Sequence, residues 1–265
     1  MKGIHRQLAT AAAVLAALTI GLIGTPAGAA PPAAKPDSAA KPAAVDNDDV
    51  YTVERLANGQ TRIGLHQHAG NAEALRRDLR AAGKNVLSAG QAPPGGSMSP
   101  LACVSYGTAV QWCDHAWGYG GFNDPQVYFL DHTPAGFPVT AAVADWYQSP
   151  GIDAYYRWHT AGCPGGGRHC VHVRTYSPGP NEFGVTYWSP NAPNGPVDVY
   201  LANHMAGTNQ ARKSTCHELG HALGLGHNSS TNSCMVQGRI GAGWSLRPSS
   251  QDFEVLNRVY PRPGT

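Results

Sequence analysis

Apolar and polar residues alternate with period two in several short stretches, and each reads as a strand. The first, "VYTVERLANGQTRIGL" from residue 50, holds two alternating runs around Asn58-Gly59, the turn pair of a hairpin. Residues 126–130 ("QVYFL"), 152–158, 170–176 ("CVHVRTY"), 183–188 ("FGVTYW") and 197–202 ("VDVYLA") are further strand candidates. Between and after them the period lengthens to that of a helix. "NAEALRRDLRAAGKNV" has a helical pattern with a glycine stop, and Thr140 is placed to cap a helix through "AAVADWYQ" that ends before Pro150. Another helix should begin near Gln210. Ser249 or Ser250 caps the last, "QDFEVLNRVY", whose Phe253, Leu256 and Val259 or Tyr260 share a face. These elements predict an α+β fold with a twisted mixed sheet and few helices.

The first hundred residues read differently. Lys2, His5 and Arg6 precede an apolar run over residues 8–23, and Ala27-Gly28-Ala29 suits a small-residue cleavage site, so residues 1–29 are expected to be a signal peptide for export. Residues 30–49 form a Pro/Ala-rich tract without periodicity, and "AGQAPPGGSMSP" is a second loop. Residues 30–100 are therefore expected to be linker and a possible pro-region, and residues 101–265 the working domain. Hydrophobic residues make up 42 % of the 265, enough for a core, while charged residues are only 14 %. The signal segment holds two of the 19 Lys+Arg and none of the 17 Asp+Glu, so the mature chain is neutral. That leaves no charge argument for nucleic acid or an anionic membrane as partner.

One stretch carries chemistry: "TCHELGHALGLGH", residues 215–227. His217 and His221 are four apart, on one face of a helix, and two imidazoles there reach a single cation at roughly 2.0–2.1 Å. Leu219, Ala222 and Leu223 supply apolar faces. Gly224 allows the left-handed turn that ends a helix, which brings His227 back as a third ligand. Three protein ligands leave a tetrahedral zinc one open position, the arrangement of a catalytic site. Water there ionises near a pKa of about 7, and Glu218 stands next to the first ligand, placed to take its proton and pass it to a leaving amine. The expected cofactor is one catalytic Zn²⁺; the residues leave a calcium requirement undecided.

"HELGHALGLGH" followed by "NSSTNSCMV" resembles the metzincin metallopeptidases, with Met235 as the methionine of their Met-turn, and the short distance to it is most like the matrixin branch. The resemblance is specific over residues 215–235 and looser over about 103–260. It implies a sheet, a long helix, an active-site helix, a Met-turn beneath the zinc, and a closing C-terminal helix. It also implies a secreted zinc endopeptidase acting as a monomer on protein or peptide substrates. No tyrosine follows Met235; Val236 and Gln237 stand there. The histidine- and aspartate-rich segment for further metals in vertebrate-type matrixins is missing, so no second metal is carried over.

All six cysteines fall between Cys103 and Cys234, an even number that suits disulfides in an exported chain, with fifteen connectivities open. Proximity favours Cys103–Cys113 and Cys163–Cys170, which leaves Cys216 with Cys234, a bridge from the metal helix to the turn after it. The first hundred residues hold no cysteine, so no thiolate of theirs covers the metal; His66 or His68 would do so, or both are ordinary surface histidines. By position relative to the signature, Gly184, Val185, Thr186 and Tyr187 resemble the family's edge strand, along which an extended peptide adds to the sheet; the other reading is an internal strand. Trp244 or Ile240 is a candidate wall for a side-chain pocket. A different class of function stays open: a zinc-containing binding or adhesion module without turnover.

Overall fold

The computed structural model describes residues 48–94, 103–113, 115–189 and 195–262, all within the second of two units into which the chain divides, Ala39–Thr265. The readings of the signal segment and of the tract before residue 48 lie outside the described residues. The architecture is α+β, with a mixed sheet of seven strands and four helices.

The sheet is built from β1 (Val50–Arg55), β2 (Thr61–His68), β5 (Gln126–Asp131), β6 (Asp153–Trp158), β7 (His169–Tyr176), β8 (Glu182–Trp188) and β9 (Val197–Ala202). Its order is β1-β2-β8-β9-β7-β5-β6. Pairing is antiparallel from β1 to β9 and parallel from β9 through β7 and β5 to β6. A short separate ribbon, β3 (Ser105–Tyr106) with β4 (Ala109–Val110), was not expected from the sequence; two-residue strands carry no periodicity to read.

Two expectations are corrected here. The hairpin of residues 50–68, expected to lie outside the working domain, is part of its sheet: β2 pairs along β8 from Ile63↔Trp188 to His68↔Glu182, and Ile63 and Leu65 enter the main core with no exposure. In consequence Gly184, Val185, Thr186 and Tyr187 do not form an edge, because β8 is flanked by β2 and β9. Burying Ile63 and Leu65 is worth roughly 2 kcal/mol each.

The four helices are α1 (Ala72–Ala81), α2 (Val139–Trp146), α3 (Asn209–Ala222) and α4 (Ser250–Val259). Asn71 caps α1, accepting from the Ala74 amide at 2.9 Å. Thr208, two residues before the expected start, caps α3 by accepting from the Ala211 amide. Ser249 and Asp252 close a capping box on α4. The expected Thr140 cap is wrong: α2 begins at Val139, behind Pro138, with no side-chain cap. Proline supplies a pre-set φ at that end, and Val139 is drawn fully into the core.

Candidate metal centre

Every residue of α3 from Ser214 to Ala222 is buried, an unusual load of polar groups for a core helix. It tolerates them because their bonding is completed from outside. The Trp146 indole N–H donates to Cys216 O at 2.9 Å, Trp188 to His221 O at 3.0 Å and Trp117 to Ala222 O at 2.8 Å. Tyr260, closing α4, donates to Leu223 O at 2.8 Å. The carbonyls of the last turn, those of His221, Ala222 and Leu223 among them, lack an i+4 amide within the helix, and here tryptophan and tyrosine donate to them. Three buried tryptophans bonded to one helix leave no signal in local sequence.

The helix ends in a Schellman motif. Gly224 stands at φ +99°, its amide donates to His221 O, and the Leu225 amide donates to Gly220 O at 3.1 Å. A Cβ at Gly224 would lie 2.5 Å from His115 O, so both the conformation and the space require glycine. The chain reverses along β4, and His227 returns to α3.

His217, His221 and His227 converge, with ligating nitrogens all within 4.8 Å of one another; among the described residues no other cluster of three or more His, Cys, Asp or Glu side chains does so. Each ring is anchored through Nδ1. His217 Nδ1 donates to Cys234 O at 2.9 Å and His221 Nδ1 to Leu225 O at 2.8 Å. The Asp49 carboxylate accepts from His227 Nδ1. Carbonyls only accept, so His217 and His221 carry their protons on Nδ1 and present bare Nε2 lone pairs, which face each other at 3.0 Å. Burial pushes both pKa values well below the usual imidazole range, aided by the neighbouring His227, which keeps the rings neutral. His227 Nε2 is buried and has no hydrogen-bond partner. Three inward nitrogens whose outer atoms are all tied are a donor set that could hold a metal ion.

Glu218 lies beside them with no exposure. Thr186 Oγ1 donates to its Oε2 at 2.7 Å, while Oε1 has no partner. Burial raises its pKa well above the usual carboxylate range, against the lowering effect of the Thr186 hydroxyl. Gly184 makes room for this side chain: a Cβ there would sit 2.7 Å from Glu218 Oε1. Thus Thr186 and Gly184, singled out as substrate-edge residues, instead orient Glu218 from an internal strand.

Met235 is wholly buried in the turn packed against α3. A Cβ at Gly220 would lie 2.3 Å from its Sδ and 2.7 Å from Trp146 Cζ2. Asp252 steadies the turn, accepting from Ser233 Oγ at 2.6 Å and from Asn228 Nδ2 at 2.8 Å. Gly220→Ala would gain roughly 1 kcal/mol of helix propensity, but the overlap with two immobile side chains outweighs it. We expect a net loss of about 1–2 kcal/mol, read as a lower urea midpoint; a raised midpoint would show that Met235 has room to move.

The three cystines are Cys103–Cys113, Cys163–Cys170 and Cys216–Cys234, the pairs that proximity favours. The last ties α3 to the Met235 turn. His66 turns away from the triad and is held at 2.5 Å by Glu182 and at 2.8 Å by Thr52 on the sheet's other face. His68 Nδ1 accepts from the Gly70 amide. Beside His227 a groove of about 760 Å³ opens, lined in part by Asp48, His68, Val236, Arg239 and Trp244. Trp244, a candidate pocket wall, lines this groove. Ile240 does not line the groove, and its amide is bonded to Gln210 Oε1 on α3. Asp49 escaped the sequence reading because it lies 178 residues before its partner. Three disulfides, and no helix among the described residues long and apolar enough to cross a membrane, are compatible with a secreted protein. No family model matches the chain, and no curated protein matches it at a significant level.

Proposed function

We propose that the chain is a secreted zinc endopeptidase, with His217, His221 and His227 as ligands and Glu218 as general base and acid. The observation that carries this reading is the convergence of three outer-anchored imidazoles beside a carboxylate with one unpaired oxygen. A zinc ion bound there would supply Lewis acidity toward a water and the substrate carbonyl. Glu218 Oε1 accepts the proton of the attacking water, and the same oxygen returns it to the departing amine nitrogen. Thr186 keeps the other oxygen occupied, so the carboxylate turns a single atom toward the reaction.

A second reading, a zinc-holding binding module without turnover, draws on one observation: His217, Glu218 and His221 have no exposure at all. The two are separated on protein purified from culture medium. The peptidase is expected to hold zinc near one equivalent and to clear casein slowly, with clearing abolished by 1,10-phenanthroline. Freshly secreted protein without zinc would overturn both readings; zinc without any casein cleavage would leave the second.

A further inference from the structure

Three histidines outside the triad meet at the ends of three neighbouring strands. β7, β5 and β6 are adjacent and parallel. His132 directly follows β5 and His159 directly follows β6, while His172 stands in β7 opposite Leu130. Strand alternation decides which way His172 faces. Val171 and Val173 are wholly buried in the core, so His172 between them is turned to the outer face of the sheet. The His132 amide donates to Val173 O at 2.9 Å, which fixes residue 132 one step beyond the last β5–β7 pair.

His132 Nε2 and His172 Nδ1 stand 2.8 Å apart. His159 stacks on the His132 ring, with centroids 4.4 Å apart and planes within 22°, and Trp158 packs against His159 in turn. All three imidazoles are half-buried and reachable from solvent. Burial lowers the pKa of His132 and of His172, and the Arg174 guanidinium adds to the effect, so both rings are neutral at pH 7. Arg174 is itself paired with Asp198. Among the described residues no carboxylate bonds to either ring.

Two neutral imidazoles in this contact share one proton, held by one ring and accepted by the lone pair of the other. A cation takes that proton's place once the proton moves to the other nitrogen of its own ring, and both rings stay neutral. With metal–nitrogen bonds of roughly 2.0–2.1 Å, nitrogens 2.8 Å apart subtend about 85–90° at the ion. That is a cis pair of a tetragonal site, the geometry of Cu²⁺ with nitrogen and oxygen donors, and Cu²⁺ also heads the affinity order of the divalent first-row ions. A hydrogen bond alone would account for two rings in contact. It gives no reason for a third imidazole stacked on the first, a group that repels its neighbours whenever they are protonated. As a brace that fixes the plane of a ligand ring, the third imidazole has one.

We propose that His132 and His172 form a second metal site, which takes a late first-row divalent ion, Cu²⁺ most tightly, with water completing the shell and His159 bracing the His132 ring. The site stands apart from the peptidase reading. No hydrogen bond or ring contact joins these histidines to the triad, and none lies within residues 215–235.

The test uses the secreted protein with its zinc in place, titrated with Cu²⁺ in a buffer that does not bind metals. Wild type should take up one equivalent of Cu²⁺ and keep its zinc, with an axial electron paramagnetic resonance spectrum split by imidazole nitrogens. His132→Gln and His172→Gln should each weaken that uptake at least tenfold at unchanged zinc content. Equal uptake by wild type and both folded variants would overturn the proposal. So would a wild-type copper signal without imidazole coupling, a result that needs no variant. Copper gained only as zinc is lost would put the ion in the triad, and that too would overturn it.

Discussion

Glu218→Gln is expected to keep its zinc and lose turnover by roughly 10²–10⁴-fold, the span of one general base. The replacement is nearly isosteric. Its amide oxygen still accepts from Thr186 Oγ1, now 2.7 Å from Oε2, and Gly184 still leaves room for the side chain. Only proton acceptance is removed. The three histidines are anchored by Cys234 O, Leu225 O and Asp49, none of which touches position 218, so metal content should remain near one equivalent. Zinc by elemental analysis and cleavage of a quenched peptide decide the matter together. Full activity in the variant would show that the proton passes through another group, and loss of zinc would show that Glu218 serves the ligand shell instead.

The second large effect should come from the Cys216–Cys234 bridge. It closes a sequence separation of 18 residues, and removing it releases about 3 kcal/mol of denatured-state entropy. Its position adds a local effect. Cys216 precedes His217, and Cys234 O is the acceptor that orients the His217 ring. The bridge therefore ties both the ring and its anchor. The double variant Cys216→Ser, Cys234→Ser is expected to unfold at lower denaturant and to release zinc to a chelator faster than wild type. Unchanged zinc release at reduced stability would limit the bridge to a general tether.

Much of the local structure was open to sequence reasoning because neighbours in the chain determine it. The Asn58-Gly59 turn and its alternating flanks form a hairpin, Gly224 ends α3 with the left-handed residue that returns His227, and the three cystines join the partners nearest in sequence. Four-residue spacing put His217 and His221 on one side of a helix before any fold was known. Where the reading failed, distant packing overruled a local signal. Thr140 has the chemistry of a cap, but Val139 is pulled into the core and the helix begins two residues earlier than such a cap would place it. The hairpin, set off by Pro- and Gly-rich tracts, reads as an appendage, yet Ile63 and Leu65 bury themselves against β8.

By itself, then, the order of residues determined which groups converge as candidate ligands, since helical pitch and a glycine turn are short-range matters of backbone sterics. Tertiary structure alone decided what surrounds them: Asp49 against His227, three indoles on the carbonyls of α3, and the Thr186 hydroxyl on Glu218. Those contacts span tens to more than a hundred residues of chain. They follow from packing elements far apart in the chain into one core, a gain in apolar contact that no window of local sequence contains.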